Sequence, residues 1–468
     1  MTLGSGPITL DDAPVVAFER LFHTVSGAEV RVTAHVPVPD GPDFACDYVI
    51  RWPDRHHSHG RACGIDGLQA LQLAQAKMAV ELYGAEPPVY WLEPNDRLGL
   101  HLTPLLKTLE DKRDPSWEER VLEAEVITFV ESGVGRITLN RPKAIHALNR
   151  GMCEAMIDAL VTWKDDEAVS SVLIDHSGER GFCAGGDIRM IAESGAGDAV
   201  EAKAFFKAEY QLNHLMFDYP KPITAIVDGI VMGGGVGISE PADVRIATER
   251  TTYAMPETGI GLFPDVGGGW FLPRLPGQAG VWLALTGARL KAADTVALGI
   301  HTHFVESGAV AALKAELLAH PADPKVVADR VAGEVGQAPL AAHREAIDRL
   351  FAYDTVEEIF AALEAEGSDW ATQQLEVMKT KSPQSLKVSL RQIRTGAKLG
   401  SFAENMAMEY ALGGRVVQTH DFQEGVRAVI IDKDNAPKWS PERLEDVDFA
   451  ILDRLFAPAE GGDAWTPL

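Results

Sequence analysis

Cysteine is scarce in this 468-residue sequence, which holds four, at positions 46, 63, 153 and 183. They are spread too widely for a disulfide framework or a paired zinc motif, so their spacing predicts reduced thiols in the cytosol. The sequence also lacks an apolar run of about eighteen residues, the minimum for a transmembrane helix. Its first twenty residues carry three acids and have neither the basic start of a signal peptide nor the arginine-rich character of a transit peptide. We therefore expect a cytoplasmic protein without a membrane partner.

Basic residues are few relative to acids. Lysine and arginine total 43 against 68 aspartates and glutamates, which gives a formal net charge of −25. Such a surface repels nucleic acid at long range, so we expect no nucleic-acid partner, and an anionic small ligand would need a local basic patch. The hydrophobic share of 46% and the charged share of 24% are those of an ordinary globular protein.

The first quarter of the sequence has its own pattern. Residues 15–38 and 44–52 alternate apolar and polar side chains and are rich in valine, which predicts short strands. Residues 66–84 have helical spacing, with Asp66 placed to cap the helix and Gly84 to end it. These features predict a small α+β module.

A charged, proline-containing segment at 109–120 is typical of a linker. We therefore predict a small α+β domain of unknown function over residues 1–118 and a second domain over 119–468. In the second domain, predicted strands alternate with predicted helices, as in an α/β core, and the pattern after residue 275 is mainly helical. The strands are predicted at 125–130, 136–140, 171–175, 223–227, 243–247 and 252–255, and the helices at 150–164 and 198–219.

Two glycine-rich turns each lead from a predicted strand toward a helix. They are GFCAGGDIRM at 181–190 and VMGGGVGIS at 231–239. Glycine lets the backbone approach a ligand closely, and the amides that open a helix point outward with partial positive charge. One such turn can hold a phosphate, and two converging turns can hold an oxygen that becomes an oxyanion. Tight packing alone also explains such glycines. Neither turn has the spacing of a phosphate loop or of a dinucleotide fingerprint.

The stretch YAMPETGIGLFPDVGGGW at 253–270 carries two acids, Glu257 and Asp265, and no basic residue. A carboxylate in such apolar surroundings is poorly solvated, so its basicity rises. Each acid also has a plainer interpretation. Glu257 can be an acid at a helix start, and Asp265 can cap the turn that follows it.

These motifs, in this order, resemble the crotonase, or enoyl-CoA hydratase/isomerase, superfamily. Two later segments, MEYALGGR at 408–415 and HDFQEGVRAVIIDKDNAPKW at 420–439, resemble its 3-hydroxyisobutyryl-CoA hydrolase branch. The first 120 residues lie outside the resemblance. The earlier motifs that carry it are NRPKAIHALN, GFCAGGDI, KPITAIVDGIVMGGGVGIS and YAMPETGIGLFPDVGG.

The resemblance implies an α/β fold of ββα units wound into a spiral, with a helical C-terminal region. Its ligands are acyl-CoA thioesters, and the backbone amides of Gly186 and Gly234 would hold the thioester oxygen. No cofactor and no metal is expected, because CoA is part of the substrate. Superfamily members are often trimers or dimers of trimers, which leaves a homo-oligomer open for this chain.

The resemblance also assigns the acids. Hydratases of the superfamily place a glutamate where this chain has Gly237, and a second glutamate matches Glu257. The hydrolase branch instead pairs a glutamate and an aspartate at the spacing of Glu257 and Asp265. Glu257 would attack the thioester or activate a water, Asp265 would bind the 3-hydroxyl of the acyl group, and Glu209, in FFKAEY, would contact the substrate.

Candidate contacts for the phosphates and adenine of CoA are Arg141 and Lys143, whose positions the resemblance assigns to this role. The later lysines 379, 381 and 387 are interpreted as a solvated face. HHSHGRAC, at 56–63, gathers three histidines and a cysteine, but loop histidines cluster without ligation and we expect no metal there. Cys183, beside the first glycine turn, is interpreted as a packing residue.

Three functions compete at this stage. The first is hydrolysis of a 3-hydroxyacyl-CoA thioester, most specifically 3-hydroxyisobutyryl-CoA in valine breakdown. The second is hydration or isomerisation of an enoyl-CoA, against which the glycine at position 237 argues, because hydration needs both an acid and a base around one water. The third is a non-catalytic CoA-binding scaffold, which would not need Gly186, Gly234, Glu257 and Asp265 together.

Overall fold

The chain divides into two compact units, Met1–Ala124 and Glu125–Leu468. The predicted boundary between residues 118 and 119 falls within 91–123, outside the described residues, and it stays a prediction. The computed structural model describes residues 16–24, 28–41, 43–53, 57–83, 85, 89–90, 124–459, 461 and 464–468.

Over its described residues, the first unit is an antiparallel sheet against which one helix packs. The sheet runs in the order β3-β4-β2-β1-β6, and β5 pairs with β4. Helix α1, Gly67–Tyr83, packs on β4 and β5, and its start is capped as predicted, since Asp66 Oδ1 accepts from the Gln69 amide at 2.7 Å. The strands are β1 Val16–Thr24, β2 Glu29–His35, β3 Val38–Asp40, β4 Asp43–Arg51, β5 Ser58–Gly64 and β6 Val89–Tyr90.

The second unit contains ten strands and sixteen α-helices among the described residues. Its strands are β7 Val126–Glu131, β8 Val134–Leu139, β9 Ser171–His176, β10 Gly181–Cys183, β11 Ile223–Val227, β12 Ile230–Met232, β13 Val244–Ala247, β14 Thr252–Ala254, β15 Leu290–Lys291 and β16 His303–Phe304. Its helices are α2 Arg150–Lys164, α3 Ile188–Gly195, α4 Val200–Phe217, α5 Gly234–Gly237, α6 Gly268–Phe271, α7 Ala279–Thr286, α8 Ala292–Ala297, α9 Val310–Ala319, α10 Pro324–Val331, α11 Arg344–Leu350, α12 Val356–Glu366, α13 Asp369–Lys379, α14 Pro383–Gly396, α15 Phe402–Val416, α16 His420–Val426 and α17 Phe449–Leu455.

The chain alternates between two sheets as it advances. One has six strands in the order β16-β13-β11-β9-β8-β7, and the other has four in the order β10-β12-β14-β15. Strands β9, β11 and β13 lie in the larger sheet, and each is followed along the chain by a strand of the smaller one, β10, β12 and β14. Each turn of the chain thus adds one parallel strand to each sheet before a helical segment. This is the predicted spiral of ββα units.

Both faces of the larger sheet are buried at its centre, whereas its edge strand β7 is largely exposed. The five residues of β11 are all buried, as expected for a parallel strand covered on both sides. On one face lies the main core, which includes side chains of α2 and α4. On the other, Val244 and Ile246 of β13 join a smaller cluster with Leu313 of α9 and Val327 of α10.

The periodicity of the sequence predicted many of these elements closely. Helix α2 has the predicted bounds, and its cap Asn149 accepts from the Met152 amide at 2.9 Å. Strand β11 also has the predicted bounds. Strand β5, Ser58–Gly64, was not predicted, because its alternating residues are Ser, His, Gly, Arg and Ala rather than β-branched side chains. The described helices include none that is both long and apolar enough to cross a membrane.

A chain that begins at residue 118 should fold without the first unit. The main core of the second unit is formed by residues from Val126 onward, so removal of residues 1–117 should leave it closed. We expect a soluble protein that unfolds in one cooperative thermal transition followed by circular dichroism. An insoluble product, beside a soluble full-length control, would show that the first unit is needed for folding.

Candidate active site

Three candidate segments follow three neighbouring strands of the smaller sheet. Gly186 comes shortly after β10, Gly234 after β12, and Glu257 after β14. Strands β10, β12 and β14 run parallel to one another. The carboxyl ends of parallel strands meet at one edge of a sheet, which is where α/β proteins bind ligands. The topology therefore brings these segments, far apart in sequence, to one place.

The two glycine turns converge closely. A Cβ built on Gly234 would lie 3.2 Å from the Gly185 carbonyl carbon and 3.3 Å from the Gly186 nitrogen. The bridge between Leu148 and Gly186 uses the Gly185 carbonyl and the Asp187 amide, at 2.7 and 2.8 Å. In such a parallel bridge the amide of Gly186 itself points away from Leu148. The amide of Gly234 opens helix α5 and has no acceptor within that helix.

Glycine is required where these turns meet the acids. Gly233 has φ 46° and ψ −121°, a backbone conformation open only to glycine. A Cβ there would lie 3.0 Å from Glu257 Oε1, and a Cβ on Gly234 would lie 2.5 Å from Glu209 Oε1. The backbone of Gly233 and Gly234 thus lies close to the carboxylates of Glu257 and Glu209, where a side chain would not fit.

Glu257 opens a 3-10 helix, Glu257–Ile260, directly after Pro256. The helix-start interpretation of this acid is therefore right for the backbone, but the side chain is only 5% exposed. Burial, and next the negative charge of Asp265, raise the pKa of Glu257 well above the ordinary value of 4.5. Its Oε2 is buried without a hydrogen-bond partner among the described residues. The carboxylate is therefore a basic group that faces a site for another molecule.

Asp265 is equally buried, and its Oδ2 accepts a hydrogen bond from the Tyr210 hydroxyl at 2.8 Å. The turn that follows it is closed by its backbone carbonyl, which accepts from the Gly268 amide at 2.7 Å. Burial is the larger effect and raises the pKa of Asp265 above its ordinary value. The hydrogen bond from Tyr210 acts in the opposite direction. Asp265 is thus held by a phenol in the interior.

A cavity of about 540 Å³ joins the predicted residues. Glu209 of α4 faces it as a third buried acid, whose pKa is raised by burial and by the charge of Asp265. The volume is in the range of small-molecule sites. Its lining includes five of the predicted site residues, Gly186, Gly234, Glu209, Glu257 and Asp265, and the apolar side chains Ile188, Ile191, Phe205, Phe206, Met232 and Leu262.

Position 237 has no room for an acid. A Cβ built on Gly237 would lie 2.6 Å from Val266 Cβ and 2.9 Å from Asn213 Nδ2. Asn213 donates to the Gly237 carbonyl at 2.9 Å, which fixes its amide there. The site therefore contains Glu257 without the glutamate that the hydratases place at position 237, and Val266 fills the space beside Gly237.

Arg141 and Lys143 do not line the cavity. The Arg141 guanidinium pairs with Glu125 at 2.9 Å and with Asp187 at 3.0 Å. Lys143 is exposed on the short 3-10 helix Pro142–Ala144. The charge of Arg141 is thus already matched by two carboxylates, and these contacts hold the turn before α2.

Two other cations line the cavity instead, Arg289 and Lys381. Arg289 is exposed and Lys381 is half-buried. Burial, and then the charge of Arg289, lower the pKa of the Lys381 ammonium. Neither side chain forms an ion pair within the described part of the chain. The sequence pattern predicted a solvated face for Lys381 and gave no sign of Arg289. Nothing in GARLK, at 287–291, or KTKSPQ, at 379–384, indicates that the two residues share a cavity.

The remaining two sequence hypotheses concern a metal and a thiol. Over the described residues no group of three or more histidine, cysteine, aspartate or glutamate side chains could hold a metal. His56, part of the predicted histidine cluster, lies outside those residues. Cys183 donates to the His146 carbonyl with its Sγ 3.1 Å away, and it does not line the cavity. Its position fits the packing role.

A family model described as enoyl-CoA hydratase/isomerase matches residues 134–456. The chain belongs to the enoyl-CoA hydratase/isomerase family. A model described as a domain of unknown function matches residues 18–102, which leaves the first unit without an assigned role.

Curated relatives agree with the predicted branch. A protein named 3-hydroxyisobutyryl-CoA hydrolase, mitochondrial, from Xenopus laevis is 47% identical over 332 residues, which cover 69% of this chain and 86% of that protein. The protein of the same name from Gallus gallus is 44% identical over 73% of this chain and 90% of its own length. The resemblance to the hydrolase branch is thereby confirmed.

Solved structures of the family share the fold. One named as a carnitinyl-CoA dehydratase from Mycobacterium thermoresistibile has a TM-score of 0.69 and 41% identity, covering 72% of this chain and 98% of that chain. One named as an enoyl-CoA hydratase from Rhodobacter sphaeroides has a TM-score of 0.67 and 38% identity, covering 73% and 100%. The predicted α/β spiral is confirmed.

Gly237→Glu should destabilise the protein. The new Cβ would overlap Val266 and Asn213 at the distances given above, and overpacking of this kind costs roughly 1–3 kcal/mol. We expect a lower midpoint in thermal unfolding. Gly308→Glu is the matched control, because a Cβ there would meet nothing within 4 Å. A Gly237→Glu protein as stable as this control would contradict the packing described here.

Proposed function

We propose that this chain hydrolyses a 3-hydroxyacyl-CoA thioester, with 3-hydroxyisobutyryl-CoA as the preferred substrate. One observation carries the proposal: Glu257, Asp265 and the two glycine turns line one cavity, while position 237 has neither an acid nor space for one. The hydrolases named above support it, because they are 44–47% identical to this chain over 69–73% of its length.

In the proposed reaction, the thioester oxygen lies between the amides of Gly186 and Gly234. As the carbonyl carbon becomes tetrahedral, negative charge develops on this oxygen, and two fixed amide donors stabilise it. Removal of one such donor in other enzymes costs about 3 kcal/mol of transition-state stabilisation. The apolar lining strengthens the effect, since the field of each amide is poorly screened there.

Glu257 supplies the attacking group by one of two routes. It can take a proton from a water whose oxygen attacks the carbonyl carbon, or its own carboxylate can attack to give an anhydride that water then cleaves. Both routes expel the CoA thiolate and yield a carboxylic acid. Both also require ionised Glu257, and the site needs no cofactor for either.

Asp265 is assigned to the 3-hydroxyl of the acyl group. Its Tyr210 hydrogen bond occupies Oδ2, which leaves Oδ1 as the acceptor for a substrate hydroxyl. A buried polar group arranged for a hydroxyl strongly disfavours a substrate without one, because the group is then left unpaired. Glu209, whose Oε1 would lie 2.5 Å from a Cβ built on Gly234, is proposed to contact the substrate near the oxyanion.

Arg289 and Lys381 are proposed to bind the phosphates of CoA in place of Arg141 and Lys143. Both side chains line the cavity, and neither forms an ion pair within the described residues. Arg141, in contrast, is paired with Glu125 and Asp187. A protein of net charge −25 needs such a local basic patch to hold a polyanion.

Hydration of an enoyl-CoA is the competing reaction, and the two solved structures carry names of that type. Addition of water across a double bond requires a base and an acid around the same water. In this chain Val266 and Asn213 occupy the space beside Gly237. The hydrolase proposal needs one such acid only and is therefore favoured.

A reducing compartment suits the protein, since all four cysteines are free thiols and Cys46, Cys153 and Cys183 are buried. We propose the cytosol, as the sequence suggests. The word mitochondrial in the names of the hydrolases describes those proteins.

Glu257→Gln should lower CoA release about 10²- to 10⁴-fold, because an amide is neither a base nor a nucleophile. CoA binding, followed by calorimetry, should stay near the wild-type value. In the wild type, kcat/KM should fall as pH decreases through the raised pKa of Glu257, since protonation removes the active form. Glu154→Gln, on the exposed face of α2, is the control and should retain full activity. Near-normal turnover by Glu257→Gln would refute the mechanism.

Asp265→Ala should reduce the preference for a 3-hydroxyl. A hydrogen bond to a charged group contributes about 1.5–3 kcal/mol, so we expect kcat/KM for 3-hydroxyisobutyryl-CoA to fall about 10- to 100-fold. Isobutyryl-CoA, which differs only in lacking the hydroxyl, is the internal control and should change much less. Equal losses on both thioesters would remove Asp265 from this role.

A further inference from the structure

Glu409 is a fully buried acid that lies outside the cavity lining. It belongs to helix α15, in the MEYALGGR motif, and four donors surround its carboxylate. Its Oε2 accepts from the Gly267 amide at 2.8 Å. Its Oε1 accepts from the Gly269 amide at 2.8 Å, from Asn405 Nδ2 at 2.8 Å and from Gln392 Nε2 at 3.0 Å. Burial raises the pKa of Glu409 to about 8, and the hydrogen bonds from the Gly267 and Gly269 amides and from Asn405 act in the opposite direction.

The turn that Glu409 holds is strained. Val266 has a φ of +51°, and a β-branched residue rarely adopts this left-handed conformation. Such a conformation costs of order 1–3 kcal/mol and persists only where the surroundings impose it. The surroundings here are Glu409, which accepts from the Gly267 and Gly269 amides, and Gln392, whose Nε2 also donates to the Pro264 carbonyl at 2.6 Å.

This turn places two side chains of the site. Asp265, directly before Val266, faces the cavity, and Val266 packs over Gly237 in the space beside it. A relaxed φ at Val266 would rotate both side chains, because they are neighbours in the chain. The contacts of Glu409 are therefore transmitted to the carboxylate of Asp265 through the backbone of residues 264–269.

We propose that Glu409 is a positioning residue that holds Asp265 in register with the 3-hydroxyl of the substrate and thereby sets the preference for hydroxylated acyl groups. The inference rests on the proposed hydrolase function. A misplacement of about 1 Å at a reacting centre can cost roughly 10²-fold in rate. Glu409 acts through Asp265, which is assigned to the 3-hydroxyl. Its substitution should therefore affect recognition of the hydroxyl more than attack on the thioester.

A core anchor without this role would behave differently. Loss of a buried acceptor lowers stability in either case, because the amides of Gly267 and Gly269 would be left unsatisfied. If Glu409 only anchored the core, its loss would reduce activity on all acyl-CoA substrates together, in proportion to the folded fraction. The ratio of kcat/KM between 3-hydroxyisobutyryl-CoA and isobutyryl-CoA distinguishes the two roles, since unfolding does not change it.

The test is Glu409→Gln in the full-length protein. The amide keeps the size of the side chain but has one oxygen, which should stay with the three donors at the Oε1 position and leave the Gly267 amide facing an NH₂ group. We expect the ratio of kcat/KM to fall about 10- to 100-fold, mainly through the hydroxylated substrate. Asp294→Asn is the matched control. Asp294 is 7% exposed, accepts from the Leu340 amide at 2.8 Å and does not line the cavity, so its ratio should remain that of the wild type.

The outcomes separate the two levels of inference. A wild-type protein that does not hydrolyse 3-hydroxyisobutyryl-CoA contradicts the proposed function, and the role of Glu409 with it. A wild type that does so, beside a folded Glu409→Gln protein with an unchanged ratio, contradicts only the positioning role. If Glu409→Gln does not fold, Gln392→Met replaces it, because methionine has a similar shape and removes the bonds to Pro264 and Glu409. A smaller fall in the ratio then supports the inference, and an unchanged ratio overturns it.

Discussion

The close approach of two backbone turns is the constraint on which this site depends. The Gly233–Gly234 turn lies within van der Waals distance of the Gly185–Gly186 turn and of two carboxylates, so a single added methyl group at Gly234 would reach Glu209 at 2.5 Å. Such an approach is possible because the parallel strands β10 and β12 end side by side. The two turns then line one cavity, and the acids around it are buried by the same packing. The geometry of the amides and the raised pKa values of the acids therefore have one origin.

A second turn decides what the acids can do. In this chain the space beside Gly237 is filled by Val266, whose strained conformation is held by the contacts of Glu409 and Gln392. The same turn directs Asp265 to the cavity. The absence of an acid at position 237 and the presence of one at 265 thus depend on one backbone segment, because Val266 fills the space beside Gly237 and Asp265 lines the cavity. This explains how a shared fold can favour hydrolysis over hydration.

The sequence predicts what depends on local chemistry. Asp66 caps α1 where expected, the glycine turns follow strands as expected, and the acids of 253–270 are buried as their apolar neighbours suggest. It does not predict contacts made between distant segments. Arg289 and Lys381 are 92 positions apart and meet only in the folded cavity, and Glu409 lies 142 residues from the glycine amide it binds. The contact between Arg141 and Asp187 is not predicted for the same reason, since the two residues are 46 positions apart.

The distribution of charge in the cavity follows from the chemistry of an acyl-CoA. The acids Glu209, Glu257 and Asp265 are buried, whereas Arg289 is exposed and Lys381 half-buried. A phosphate placed next to the buried acids would be repelled strongly, because like charges in a weakly polarisable interior interact over several ångströms. A ligand with its phosphates at the cations and its neutral thioester among the acids avoids this repulsion. The long pantetheine arm of CoA separates its phosphates from its thioester, so an acyl-CoA matches a lining whose acids are buried and whose cations are more exposed.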